Sequence, residues 1–188
     1  NPLLRAVRST SDIFLTTVQT FHEIDHSIVS EQGQTPLMYA LLCRDASRFV
    51  QLAQFFTNLD PNDVNPRDGT NALMYSLQND LKFTLEHLSL FASTFPTFNI
   101  NAQSHNGSTA LKLLIKLSCI RNWSTIENFQ KVFPTVDPNI QDYQGETALM
   151  LAVNLHSVKT IQELAHCFPN LDFTCRDING RTALQLAT

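Results

Sequence analysis

Apolar side chains recur along this chain at intervals of three and four residues, the spacing of one face of an α-helix. The clearest stripes lead up to five phenylalanines. An apolar residue stands seven positions before each of them, and another stands four positions before four of them. Each stripe predicts an amphipathic helix that ends near its phenylalanine. The five are Phe21, Phe56, Phe95, Phe133 and Phe168.

A second apolar segment follows every glycine. The chain has five glycines, at positions 33, 69, 107, 145 and 180, and each begins a phrase such as Gly145-Glu-Thr-Ala-Leu149. Glycine at a turn predicts a positive φ, and Thr or Asn two residues later predicts a helix N-cap. The loop before Gly69 carries one extra residue. Every phrase therefore predicts a tight turn and then a short helix.

The two landmarks keep the same register, with glycine spacings of 36, 38, 38 and 35 residues. Neither helix of such a unit can bury its stripe alone, so stacked repeats are expected. The pattern predicts an all-α solenoid of helix-turn-helix units and a single domain over 1–188, with Leu73 and Leu149 in its core. The predicted units are approximately 1–29, 30–65, 66–103, 104–141 and 142–176, with a partial unit at 177–188.

The segment Gly33-Gln-Thr-Pro-Leu37, followed by Ala40, resembles the ankyrin repeat. Asn99-Ile-Asn101 and Asp137-Pro-Asn139 resemble that family's Ala-Asp-x-Asn segment. The resemblance covers the chain and implies a divergent ankyrin-repeat solenoid with short hairpin-like loops. Histidine, which usually follows Thr-Pro-Leu in the family, is replaced, so the family's Thr–His hydrogen-bond network is not expected. The residues in its place are Met38, Met74, Lys112, Met150 and Gln185.

The two ends of the chain read as incomplete repeats. Asn1-Pro-Leu3 aligns with Thr35-Pro-Leu37, and 182–188 aligns with the beginning of a first helix. We therefore expect this sequence to be a fragment of a longer protein.

Charge and composition narrow the choice of partners. The net charge is −4, and 13 scattered basic residues offer no cluster for nucleic acid. No apolar run approaches the roughly 20 residues that span a bilayer, and no signal peptide is evident. The four cysteines show no CxxC spacing, which favours reduced thiols in the cytoplasm or nucleus. Delivery into a host cell is the alternative localisation.

Candidate chemistry is sparse. His166, Cys167 and Cys175, with Asp172 and Asp177 nearby, suggest a metal site or a cysteine nucleophile, but their spacing lacks the close pairing of zinc ligands. A structural role is the favoured interpretation. We expect no enzyme activity, no metal, no cofactor and no small-molecule substrate.

The resemblance implies that protein partners bind at the hairpin tips and along the exposed side of the first helices. Tyr143 is the strongest single candidate, because exposed aromatic residues are enriched at interface hot spots; Trp123 is second, either exposed or packed. We expect a non-catalytic protein-protein interaction scaffold; the alternatives are a targeting or regulatory domain of a larger enzyme or host-directed effector, and an architectural spacer. The predicted partner-binding residues are Gln32, Gln34, Arg67, Asp68, Thr70, His105, Asn106, Ser108, Tyr143, Gln144, Glu146, Asn79, Lys116 and Asn154.

Overall fold

The computed structural model describes residues 29–35, 37–38, 41, 60–79, 85–121 and 126–188. These residues belong to two compact units, unit 1 ending at Phe98 and unit 2 beginning at Asn99. The regular elements in the described segments are helices, joined by turns and loops, which confirms the predicted all-α class. The predicted stripes that end at Phe21 and Phe56, and the candidate Trp123, lie outside the described residues.

Unit 1 contains helix α1, Ala72–Gln78, and helix α2, Leu85–Thr94. The side chain of Asn71 accepts a hydrogen bond from the Met74 N–H at 2.9 Å, so α1 begins at the predicted N-cap. The stripe on α2 is buried as predicted, and its central ring, that of Phe91, packs edge-on against Phe98 at 4.8 Å between centroids. The buried stripe consists of Leu88, Phe91 and Phe95.

Unit 2 contains the remaining described helices. The first helices of its repeats are α3 (Ala110–Arg121), α5 (Ala148–Asn154) and α7 (Ala183–Leu186), and the second helices are α4 (Ile126–Val132) and α6 (Val158–Cys167). Helix α5 packs against α3, α6 and α7, and α4 packs against α3 and α6. Each first helix has the predicted threonine at its N-cap, with the Oγ1 atom accepting a backbone N–H at 3.3–3.4 Å; these are Thr109, Thr147 and Thr182.

Asparagine side chains join neighbouring repeats of unit 2. The Nδ2 of Asn101 donates to the Thr135 carbonyl at 2.9 Å, and its Oδ1 accepts the Asp137 N–H at 2.8 Å. Asn139 makes the same pair of bonds one repeat further on, at 2.9 and 2.8 Å. The Asn-x-Asn and Asp-x-Asn segments noted in the sequence therefore connect each repeat to its successor.

A second series of bonds runs along the hairpin bases, four residues before each glycine. The Nε2 of Gln103 donates to the carbonyls of Gly107 and Gln141, at 2.8 and 2.9 Å. Gln141 repeats the arrangement, donating to Gly145 and Arg176 at 2.6 and 2.7 Å. Each of these glutamines thus holds its own hairpin and the next one together.

Candidate protein-binding surface

The hairpins that precede the first helices carry most of the predicted binding residues. All five glycines have the predicted positive φ, between 70° and 80°. At Gly145 a side chain is also excluded by crowding, because an added Cβ would lie 2.9 Å from the Cα of Asp177. Glycine therefore allows both the turn and the close approach of the next hairpin.

The hairpin that has one extra residue before its glycine also has a longer turn. In four hairpins the glycine N–H donates to the carbonyl three residues back, as Gly145 does to Asp142 at 2.8 Å. At Gly69 the acceptor is Asn65, four residues back. The extra residue before Gly69 is thus absorbed within a wider turn.

The hairpins of unit 2 lie side by side. The N–H of Tyr143 donates to the Asn106 carbonyl at 3.2 Å, and the N–H of Ile178 donates to the Gln144 carbonyl at 2.9 Å. Residues two and one positions before each glycine therefore form a continuous surface, here called the tip row. Its members are His105, Asn106, Tyr143, Gln144, Ile178 and Asn179, and all six are exposed.

Two large apolar side chains stand in the tip row. Tyr143 is 69% exposed and Ile178 is 63% exposed. Ile178 was not among the predicted binding residues, although it occupies the same position relative to Gly180 as Tyr143 does relative to Gly145. The repeat alignment is the signal that could have found it.

Further predicted residues of unit 2 lie on its first helices and beside them. Lys116 on α3 is exposed, as is Asn154 at the end of α5. Glu146 is half-buried, and its carboxylate accepts a hydrogen bond from the Asn154 side chain. This contact places one hairpin residue directly beside one first-helix residue.

Unit 1 brings a different set of predicted residues together. Gln32, Arg67, Asp68 and Asn79 are exposed, and Gln34 is half-buried. The guanidinium of Arg67 donates to the Glu31 carbonyl, and the Asn65 side chain donates to Gln32 at 3.1 Å. The Gln34 amide donates to the Tyr75 hydroxyl. The Gly33 and Gly69 hairpins are therefore also neighbours.

Two predicted binding residues are buried. The Thr70 hydroxyl donates to Asp68 Oδ1 at 2.7 Å, inside its own turn. Ser108 is buried as well, and its N–H donates to Asn106 Oδ1 at 3.0 Å. The longer side chains at the same position, Gln34, Glu146 and Arg181, are half-buried or exposed. The burial of Thr70 and Ser108 corrects the expectation that they lie at the surface.

A buried lysine underlies the Tyr143 hairpin. Lys112 Nζ lies 2.9 Å from Asp142 Oδ2, with the two side chains 2% and 15% exposed, and it also donates to the Glu146 carbonyl. Burial lowers the pKa of Lys112, an effect that the hydrogen bond to Asp142 opposes. Burial acts to raise the pKa of Asp142, but the Lys112 ammonium and the backbone N–H donors outweigh it and hold that pKa below its usual value.

In the next hairpin, around Gly180, the aspartate is paired with a different cation. Asp177 Oδ2 accepts a hydrogen bond from Arg181 Nε at 2.9 Å, and Nη2 of the same arginine lies 2.8 Å from that oxygen. The first helix of the repeat before this hairpin, α5, has Met150 where α3 has Lys112. The cation that faces the aspartate thus comes from the preceding repeat in one hairpin and from the hairpin itself in the other.

The cysteine and histidine candidates do not form a reactive cluster. Burial raises the pKa of Cys167, and burial together with a hydrogen bond to Asp172 raises that of Cys175, which disfavours the nucleophilic thiolate. In the described segments, His, Cys, Asp and Glu side chains nowhere gather in a group of three that could hold a metal ion. No helix in that part of the chain has the length and apolar character needed to cross a bilayer.

No protein-family model and no curated protein matches the sequence. Solved structures do match over the whole chain. One match is to a chain of the complex between the Bd0816 predatory endopeptidase from Bdellovibrio bacteriovorus and the immunity protein Bd3460, with 21% identity, a TM-score of 0.73 and 90% of that chain covered. Another is to the ankyrin repeat domain of Bcl-3, a member of the IkappaB protein family, with 17% identity, a TM-score of 0.57 and 94% of that chain covered.

The glycine-led turns, the capped first helices and the buried stripes of the second helices recur in the described repeats as the sequence predicts. The matching Bcl-3 domain is built from ankyrin repeats, the repeat that this sequence resembles. This chain therefore has an ankyrin-repeat fold.

Proposed function

We propose that this chain is a non-catalytic protein-interaction scaffold and that a protein partner binds the tip row of unit 2. The observation that carries the proposal is the pair Tyr143 and Ile178, both more than 60% exposed and placed on hydrogen-bonded neighbouring hairpins. Exposed large apolar side chains grouped in this way are typical of interaction sites. Tyrosine in particular is enriched among residues that dominate binding energy.

The tip row of unit 2 has no charged side chains, which favours a partner that binds through an apolar segment. The corresponding positions in unit 1 are Glu31, Gln32, Arg67 and Asp68, of which three are charged. The tip row of unit 2 has amides at every second place and no Asp, Glu, Lys or Arg. A partner that presents apolar side chains and backbone hydrogen-bonding groups would suit this surface better than a strongly charged one.

The predicted polar residues form the rim of the proposed site. We expect Lys116, Glu146 and Asn154, on and beside the first helices, to lie at the edge of the interface, where polar side chains typically surround an apolar centre. We expect substitutions there to weaken binding less than substitutions of Tyr143 or Ile178. Arg67 and Asp68 in unit 1 remain candidates for additional contacts.

A capture experiment tests the proposal. The double variant Y143S/I178S is compared with wild type and with V158S, which removes an equally exposed apolar side chain from α6. Partners captured from lysate and identified by mass spectrometry should be lost with Y143S/I178S and kept with V158S. Identical partner sets for wild type and the double variant would contradict the assignment of this surface.

A regulatory role towards an enzyme is the second candidate. The observation that favours it is that one structural neighbour comes from a complex between an endopeptidase and an immunity protein. If this candidate is correct, the captured partner is an enzyme, or an enzyme domain of the parent polypeptide, whose activity changes when the tip row is occupied.

A further inference from the structure

Lys112 reaches out of its own repeat to hold the hairpin that follows. It lies on α3, but both of its acceptors, the Asp142 carboxylate and the Glu146 carbonyl, belong to the hairpin that carries Tyr143. The ammonium is enclosed, since the lysine side chain is almost completely buried. A side chain that crosses between repeats therefore contacts both sides of one turn.

The rest of that turn depends on the same aspartate. Asp142 Oδ1 accepts the N–H groups of Gln144 and Glu146, each at 3.0 Å. The backbone N–H of Asp142 donates to Glu146 at 3.1 Å, and its carbonyl accepts the Gly145 N–H. Fixing the Asp142 carboxylate therefore fixes the whole turn around Tyr143.

We infer that Lys112 is the positioning residue of the Tyr143 hairpin: it locks the turn from the preceding repeat, so that Tyr143 is presented in one orientation before a partner arrives. The functional part of this inference rests on the proposed function of the tip row. Preorganisation of this kind improves affinity because less order has to be created on binding.

Equivalent positions in the chain indicate that the lysine serves the hairpin and is not needed for the fold. Met38, Met74 and Met150 stand at the same place in other repeats, and each is fully buried. A buried methionine therefore satisfies the packing there. Replacing a buried ion pair by apolar side chains is often neutral for stability, so a positioning role accounts better for the lysine than net stabilisation does.

The hairpin around Gly180 suggests a variant that should replace the Lys112 anchor. Asp177 stands in the same place as Asp142, and its cation is Arg181 on the hairpin itself. The first helix of the preceding repeat, α5, has Met150 in place of the lysine. Arg181 corresponds to Glu146, one residue after the glycine. The double variant K112M/E146R would thus give the Tyr143 hairpin the combination of residues that its neighbour uses.

Amide hydrogen exchange in the free protein tests the inference. In K112M, exchange at residues 144 and 146 should become at least about tenfold faster, because a charge-assisted anchor is lost from a local turn. Exchange at Asn179 and Arg181, in the hairpin without a lysine anchor, should not change. In K112M/E146R, exchange at 144 and 146 should return towards the wild-type rate. Capture of partners should fall in K112M; recovery in the double variant is read from amide exchange alone, because Glu146 also lies in the proposed binding site.

Several results would overturn the inference. Unchanged exchange at residues 144 and 146 in K112M would show that the turn holds itself. Equal acceleration in both hairpins, or loss of the far-UV helical signal, would show that Lys112 serves the whole fold. Failure of K112M/E146R to slow exchange would refute the equivalence of the two cations. A wild type that captures no partner would instead overturn the proposed function of the tip row.

Discussion

The segments 142–154 and 177–186 begin with the same local structure and differ in their surroundings. Each has an Asp three residues before a positive-φ glycine and then Thr-Ala-Leu with a capping threonine. Leu149 is nevertheless 4% exposed and Leu184 74% exposed. Helix α5 packs against α3, α6 and α7, whereas α7 packs against α5. The turn and the cap are local properties, but burial is supplied by neighbouring repeats.

The largest difference should appear at the two leucines. Leu149→Ala is expected to lower the free energy of unfolding by about 2–5 kcal/mol, because it empties a packed site. Leu184→Ala should change it by less than about 0.5 kcal/mol, since most of that side chain is already in water. Urea titration followed by circular dichroism measures both. A loss below about 1 kcal/mol for Leu149→Ala would show that this leucine is not core.

The second-largest difference in stability is expected between alanine variants of Gly145 and Gly180. Alanine at either position is strained by the positive φ, at a cost of about 1–2 kcal/mol. At Gly145 its Cβ would also lie 2.9 Å from backbone atoms of Asp177 and Ile178, whereas nothing lies within 4 Å at Gly180. We expect Gly145→Ala to destabilise the protein by at least about 1 kcal/mol more than Gly180→Ala. Equal thermal denaturation midpoints for the two variants would refute the close contact of the hairpins.

The two N-caps should give a smaller contrast. Thr147→Ala is expected to lower the free energy of unfolding by about 1 kcal/mol, because α5 loses its cap in the interior of the stack. Thr182→Ala removes the capping box of the four-residue α7. Its effect on global unfolding should be only a few tenths of a kcal/mol, since α7 can fray locally. A loss for Thr182→Ala as large as that for Thr147→Ala would mean that α7 unfolds together with the rest.

The smallest expected effect is the pH dependence of stability that arises from Asp142 and Asp177. The pKa of Asp142 and that of Asp177 are held below the usual value of 3.8, with backbone and Arg181 hydrogen bonds acting at Asp177. The folded state therefore binds fewer protons than the unfolded state near that pH, and stability is lost as the pH falls through this range.

Lysine removal should separate the two aspartates. In K112M the pKa of Asp142 should rise towards its usual value, because the ammonium no longer stabilises the carboxylate, and that of Asp177 should stay unchanged. Titration of the carboxyl carbons by NMR measures both in one sample. An unaltered Asp142 titration would show that the backbone N–H donors alone lower its pKa.

The sequence was sufficient for features that depend on a few adjacent residues. The positive φ of all five glycines, the caps at Asn71 and Thr147, and the buried stripe at Leu88, Phe91 and Phe95 follow from spacing and residue type. The ankyrin-repeat fold follows because these local features recur in register.

Contacts between repeats were harder to predict. Thr70 and Ser108 are buried although Arg181, at the same position after its glycine, is exposed, so their burial depends on the surrounding packing. The pairing of Lys112 with Asp142 joins residues of different repeats. In the sequence Lys112 is marked only by its departure from the histidine usual at that position. The identity of the binding residues stays a prediction, because exposure alone does not distinguish a solvated turn from an interface.

The glutamines at 103 and 141 have a consequence for how such a chain tolerates changes in length. Each donates through its side-chain amide to an equivalent pair of backbone carbonyls, one in its own hairpin and one in the next. The junctions before and after residues 104–141 therefore have the same hydrogen bonds. Duplication or removal of one whole repeat between these junctions would keep each glutamine amide matched to its two backbone carbonyls. Insertion of part of a repeat would not, which makes the helix pair with its hairpin the natural unit of growth.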